Sequence, residues 1–350
     1  MTRMTRQSMT AYATPLCETV AEAPEPRGSQ VLVRISRCGV CHSDLHLYDG
    51  YFSLGGDKKL DVTAFRSLPF TLGHEIAGVV EKAGPDADVK IGTSAAVFPW
   101  IGCDECAACK AGEENLCAAP RHLGIQVDGG FSTHVLVPHP RYLIDHGSLP
   151  ASLAGAYMCS GLTAFAALKR LTEHAKRGPI LLVGLGGVGM MGLSFALALF
   201  PHKPIVADID PAKREAALAA GAVAAYDSAD PNARKMLLKA TGGVAGAVDF
   251  AGTDGSLAFA VGSIGKGGKV VITGLIGGSF ATPIAMFPLK AMSIEGTMVG
   301  TLAEAQEMMA LTRAGKVPPV PIHERPLSAA QASLDDLRAG KVVGRVVLVP

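Results

Sequence analysis

Apolar positions follow two rhythms along this chain, and the change between them divides it. Over the first 150 residues they come in short runs bounded by glycine, proline and charge. Val31-Leu32-Val33-Arg34-Ile35 alternates weakly after the polar, proline-rich run from Glu22 to Gln30. Ile76 to Val80, Ala95 to Phe98 and Phe131 to Val137 repeat the pattern. These read as strands of a mostly β domain. Cys38 to Asp44 reads as a turn into a short helix, and the polar, glycine-containing insertion from Asp49 to Leu68 as a loop. From Ala154 to about Lys169 the period becomes helical.

Strand and helix then alternate. Strands are predicted at 180–184, 204–208, 222–226, 247–250 and 269–273, with helices at 187–200, 211–220 and 231–240 between them. Pro211 suits a first helical position and Gly221 lies just past a helix end. Alternation of this kind indicates a doubly wound parallel sheet with helices on both faces, an α/β architecture. Helices at 302–313 and about 328–338 and a closing strand, Arg345 to Val349, complete the chain, which has no internal repeat.

The stretch Leu181 to Gly189 carries glycines at 184, 186 and 189, spaced G-x-G-x-x-G between a strand and a helix. The first allows a sharp turn, the second lets backbone approach a pyrophosphate, and the third lets helix and strand pack closely. Free N–H groups at the helix start favour phosphate. Asp208, ending the strand Pro204 to Asp208, stands where a carboxylate accepts hydrogen bonds from an adenosine ribose and repels a 2′-phosphate, which favours NAD over NADP. The 21 residues from Ile180 to Phe200 carry no charge and are long enough to span a bilayer. Five glycines and the phosphate-loop pattern argue instead for a buried strand and its helix.

The chain has 350 residues with 49% hydrophobic and 18% charged, so two domains with ample core are expected. A net charge of +1 gives no electrostatic case for nucleic acid or an anionic membrane. Arg3 and Arg6 are followed by no apolar run, which argues against a secretory signal and for the cytoplasm. The eight cysteines cluster, which argues for metal rather than disulfides. Cys103, Cys106, Cys109 and Cys117 form C-x2-C-x2-C-x7-C, spacing that closes a tetrahedral structural zinc site; an iron–sulfur cluster is a smaller rival. Cys41, His74 with Glu75, and Cys159 are dispersed. Two sulfurs and one imidazole leave a fourth zinc position for water or substrate, the catalytic arrangement. On chemistry alone, however, a lone histidine or cysteine is more often a packed side chain.

Taken in order, Cys41-His42-Ser43-Asp44-Leu45-His46, Gly73-His74-Glu75, the four-cysteine lobe, Met158 to Thr163, Gly184 to Gly189 and Asp208 resemble the zinc-dependent alcohol dehydrogenases of the medium-chain dehydrogenase/reductase superfamily, over nearly the whole length. The resemblance implies a GroES-like catalytic domain (1–160 and 301–350, zinc lobe about 102–118) and a Rossmann domain (161–300). It implies two zinc ions per chain and NAD. Cys41, His74 and Cys159 would hold the catalytic zinc, Glu75 would sit behind it as an occasional ligand, and Asp44 would orient His74. Ser43 would take the alcohol proton and His46 pass it to solvent. Cofactor contacts would come from His42, Thr163, Gly184, Gly186, Gly187, Val188, Gly189, Asp208, Lys213, Gly274, Leu275 and Arg345. The implied partners are a small alcohol, aldehyde or ketone and further copies of the chain, as dimer or tetramer. A relative acting on a polyol or on a glutathione adduct of formaldehyde, or a zinc- and nucleotide-binding protein without turnover, is the alternative. Phe98-Pro99-Trp100 stands where such enzymes line the substrate pocket, while Cys17, Cys38 and the 49–68 insertion receive no role.

Overall fold

The computed structural model describes residues 2–350. Its six-stranded parallel sheet runs Ala224–Tyr226, Ile205–Ala207, Ile180–Val183, Val244–Asp249, Ile264–Ile272, Ser293–Gly296. Helices Gly187–Leu199, Pro211–Ala219, Ala233–Thr241 and Asp254–Ser263 connect the strands. All four residues of Ile180–Val183 are buried, as a central parallel strand requires. The strand expected at 269–273 starts earlier, at Ile264, and a register shift between Val244 and Gly246 marks the irregular start of its pairing. The uncharged 180–200 segment is strand, glycine turn and helix. Among the described residues one helical run, Ala151–Lys169, is long and apolar enough to cross a membrane, but its most apolar stretch is 89% buried in the core.

The β region is built on a seven-stranded sheet in which Val31–Gly39 pairs antiparallel with Glu75–Ala83, the closing strand Arg345–Val349 and His134–Val137. Gly39 lies opposite Glu75. This register sets the Cys41 turn beside His74, although 33 positions separate them in sequence. A Cβ on Gly39 would lie 2.0 Å from Glu75 Oε2, so the close approach needs glycine. The closing strand pairs Val347 with Gly39 and so carries Arg345 to the same place.

Two sequence expectations change. The helix expected from Ala154 begins at Ala151 and is interrupted by a π-helical turn, Tyr157–Gly161, which contains Cys159. A Cβ on Gly161 would meet the Tyr157 ring at 2.5 Å, so glycine makes room for the widened turn. The insertion at 49–68 is a structured hairpin: Tyr51–Ser53 pairs with Lys59–Asp61, followed by a short 3-10 turn, Thr63–Phe65. Its tip crosses to the parallel-sheet domain. Cβ atoms built on Gly55 and Gly277 would fall 2.7 Å from the Gly278 backbone and 2.6 Å from Ser53, so the two loops touch through glycines.

Candidate active site

The turn at Cys41 opens the helix His42–Asp49, and Asp44 fixes both. Its Oδ2 accepts from the Cys41 N–H (2.9 Å) and its Oδ1 from the Gly73 N–H (3.2 Å). Oδ1 also lies 3.3 Å from His74 Nδ1, out of line for a hydrogen bond. Asp44 is fully buried, so one carboxylate ties the Cys41 and His74 loops together. The helix then carries Ser43 and His46 toward the cleft, with Ser43 Oγ 3.9 Å from Cys41 Sγ.

Cys41, His74 and Cys159 converge. Their donor atoms all lie within 4.8 Å of one another, and the two sulfurs are 3.9 Å apart. His74 Nε2 is buried with no hydrogen-bond partner. A tetrahedral ion with bonds of about 2.3 Å to sulfur needs sulfurs about 3.8 Å apart, so the donor set fits zinc. The Cys41 thiol is pushed well down, first by the hydrogen bond from Cys159 and then by His74 and Arg345. Burial alone would depress His74; Asp44 and Cys41 outweigh it and raise the imidazole well above its usual range.

Glu75 does not join this trio. Its Oε1 accepts from the Ser160 hydroxyl (2.5 Å) and N–H (3.2 Å), and its Oε2 pairs with Arg345. Both oxygens are engaged by other partners, so the carboxylate stands behind the trio as counter-ion to a buried arginine. Burial raises its pKa against the pull of Arg345. Arg345 also donates to the Val40 carbonyl, its Nε is unpartnered, and its side chain abuts Gly187 at the start of the helix after the glycine turn. It thus links the surroundings of the Cys41, His74 and Cys159 trio to the glycine turn.

In that loop, Gly184 has φ +88°, and a Cβ on Gly189 would sit 1.8 Å from the Gly184 carbonyl. A Cβ on Gly186 would meet nothing within 4 Å, which leaves the open face a pyrophosphate needs. Asp208 follows its strand as expected and accepts from the Leu185 N–H through Oδ2 (2.6 Å) and the Asp210 N–H through Oδ1 (2.9 Å). Lys213 is half-buried within 3.9 Å of Asp210. Thr163 and Val188 are half-buried. Gly274 packs on Ala251 and Gly252, and Leu275 beside it is exposed. His42 is pulled below the ordinary imidazole value by desolvation, with Arg345 and Lys213 adding to it.

The four lobe sulfurs also lie within 4.8 Å of one another, with separations of 3.5 Å (Cys106–Cys109), 3.8 Å (Cys106–Cys117) and 3.9 Å (Cys103–Cys109). These are the edges of a tetrahedron about a single ion, which leaves no room for a multi-iron cluster. Backbone N–H groups of Glu105 and Cys106 draw the Cys103 thiol down to about 6, toward the thiolate a metal takes.

Comparison with known proteins agrees. The family model "Alcohol dehydrogenase GroES-like domain" matches residues 27–146, and "Zinc-binding dehydrogenase" matches 187–314. The chain is 35% identical to the NAD-dependent alcohol dehydrogenase of Sulfurisphaera tokodaii, covering 93% of this chain and 94% of that one. This chain belongs to the zinc-binding alcohol dehydrogenases. Another relative, the NAD-dependent alcohol dehydrogenase of Saccharolobus solfataricus, is 33% identical, covering 96% and 97%. The crystal structure of the Aeropyrum pernix alcohol dehydrogenase superposes with a TM-score of 0.85 at 28% identity, covering 99% and 100%.

Within this zinc-binding alcohol dehydrogenase, sequence reasoning missed two residues of the site and one packed beside it. Ser160 follows a ligand and clamps Glu75. Phe52, on the hairpin, packs tilted against His46 with ring centroids 4.7 Å apart. His122 packs its ring on Trp100 at 5.2 Å, and Trp100 packs on His74 at 5.6 Å. Trp100 is buried and donates to the Met158 carbonyl (2.8 Å), next to Cys159. Adjacency to Cys159 was a usable signal for Ser160; no sequence pattern pointed to Phe52 or His122. Cys38 is buried against Gly73 and Gly130, and Cys17 is exposed on strand Cys17–Glu22.

Proposed function

We propose that this chain is an NAD-dependent alcohol dehydrogenase that reversibly oxidises a primary or secondary alcohol to an aldehyde or ketone. The observation that carries the reading is the convergence of Cys41, His74 and Cys159, with Nε2 unpartnered, beside Ser43. Zinc held there supplies a Lewis acid that lowers the pKa of an alcohol hydroxyl. NAD held at the glycine turn supplies the hydride acceptor. The chain's own groups do the rest. Ser43 Oγ, beside Cys41, accepts the hydroxyl proton. His46 lies one helical turn further along the same face, and desolvation pulls its pKa down, which favours the neutral ring that takes the proton onward. Asp44 holds the His74 loop, and Arg345 lies between the metal cluster and the phosphate loop. Asp208, though engaged with Leu185, keeps further lone pairs for ribose hydroxyls and a charge that repels a 2′-phosphate.

The reading includes two zinc ions per chain, one in each cluster, and the division into a catalytic region (1–160 and 301–350) and a cofactor region (161–300). It includes self-association through the unpaired edge strand Ser293–Gly296, beside exposed Ile284, Leu289 and Met298. It also includes residence in the cytoplasm, since both clusters need reduced thiols.

The test is NADH formation over a panel of primary, secondary, benzylic and polyol alcohols, with metal analysis of wild type and Cys41→Ala. We expect chelator-sensitive turnover, two zincs in wild type, and one zinc without turnover in the variant. Turnover indifferent to chelation, or a higher kcat/KM with NADP, overturns the reading.

A further inference from the structure

His122 is 1% exposed, and among the described residues neither ring nitrogen has a partner in hydrogen-bond geometry, although the Glu114 carbonyl is close enough to act on the ring. Its backbone is fully committed. The N–H donates to Gln126 Oε1 (3.2 Å), and the carbonyl accepts from the N–H groups of Ile125, Gln126 and Val127. Only the ring is left over. Buried imidazoles ordinarily pair both nitrogens, and one that does not costs stability without return unless something else binds there.

Backbone bonds and ring contacts say which way the ring faces. The Arg121 N–H donates to the Ile101 carbonyl (2.8 Å) and the Leu123 N–H to the Pro99 carbonyl (3.0 Å). These two bonds bring Trp100 and His122 side by side, and their rings meet with centroids 5.2 Å apart. Ile101, Arg121 and Leu123 instead line a separate cavity of about 280 Å³ with Asp128 and His134. Trp100 lies on the metal side, since its ring meets His74 edge-on. His122 thus stands two ring contacts from a metal ligand, inside the catalytic half of the molecule.

Its charge state narrows what it can bind. Burial depresses the imidazole to about 4, against a small opposing pull from the Glu114 carbonyl, and His74 adds to the depression. At neutral pH the ring carries no charge and offers one donor and one acceptor. Such a group pairs with a hydroxyl or carbonyl oxygen and gives a carboxylate no counter-charge.

We propose that His122 is a specificity determinant: it hydrogen-bonds a second, neutral oxygen on the substrate, so that the preferred alcohols are diols and hydroxycarbonyl compounds rather than plain alkanols. This rests on the dehydrogenase reading and names the substrate class of the same site. The experiment compares kcat/KM for a series of terminal diols with that for the alkanols in which a methyl replaces the far hydroxyl, in wild type, His122→Leu and His122→Gln. We expect wild type to favour the diol at one chain length. The preference falls about tenfold in His122→Leu, one neutral hydrogen bond's worth, while kcat/KM for the alkanol holds and His122→Gln retains most of the preference. Zinc content and melting temperature establish which variants fold, and His122→Phe replaces His122→Leu if the latter does not. No diol preference at any length, or equal losses on diol and alkanol, overturns the proposal and leaves the dehydrogenase reading standing. Absence of turnover on every alcohol in wild type overturns both.

Discussion

His74 and His122 are the same side chain in opposite electrostatic settings, joined through one tryptophan. Asp44 and Cys41 surround His74 and favour the charged ring, while desolvation dominates at His122 and keeps it neutral. The second setting has a consequence for stability. His122 has a folded pKa of about 4, and an unfolded histidine titrates near 6.5. Between those values the unfolded chain binds more protons, so stability rises with pH and is lost as pH falls from about 6.5 toward about 4. The shift is worth about 3 kcal/mol over the whole window. Denaturant unfolding of wild type and His122→Leu across that range should show wild type losing more stability on acidification. Parallel curves would mean that His122 is already protonated or hydrated in the folded state.

The hairpin 51–61 reads as a loop because its strands are three residues each, too short to establish a period. Its structure comes from what it touches. Phe52 packs against His46, and the tip rests on the Gly277-Gly278 backbone of the cofactor domain. The contact admits no side chain, since Gly55 has φ +89° and Gly278 lies 2.7 Å from where its Cβ would be. Gly55→Val should lift the tip from that loop and weaken NAD binding several-fold, a cost of about 1 kcal/mol, without changing zinc content. A Kd for NAD equal to that of wild type, measured by fluorescence titration, would show that the contact does not restrain the cleft. The π-helical turn at Cys159 was illegible for a similar reason: its cause is packing of Tyr157 against Gly161, and local helix propensity carries no trace of it.

Across the whole molecule, the parallel sheet ends in a strand, Ser293–Gly296, that has a neighbour on one side only. Ile284 is 84% exposed and Leu289 69%, more than the other large apolar side chains near them. Replacing both with aspartate should convert an oligomer to a smaller species in light scattering. An unchanged mass would place any interface elsewhere.

What the sequence by itself determined is whatever depends on neighbours a few positions apart. The strand, glycine turn and helix at 180–199, the four-cysteine lobe and the alternation that makes the sheet parallel are local patterns, set by backbone freedom, chelate spacing and side-chain period. Only the tertiary structure decided the rest. Antiparallel register brings Gly39 opposite Glu75 and so sets Cys41 beside His74. The closing strand delivers Arg345 to Glu75 across 270 positions, which gives the buried carboxylate an arginine as its partner. Two backbone bonds, from 121 to 101 and from 123 to 99, set His122 against Trp100. Each of these depends on which distant backbones hydrogen-bond in which register, and a one-residue slip would reverse every facing.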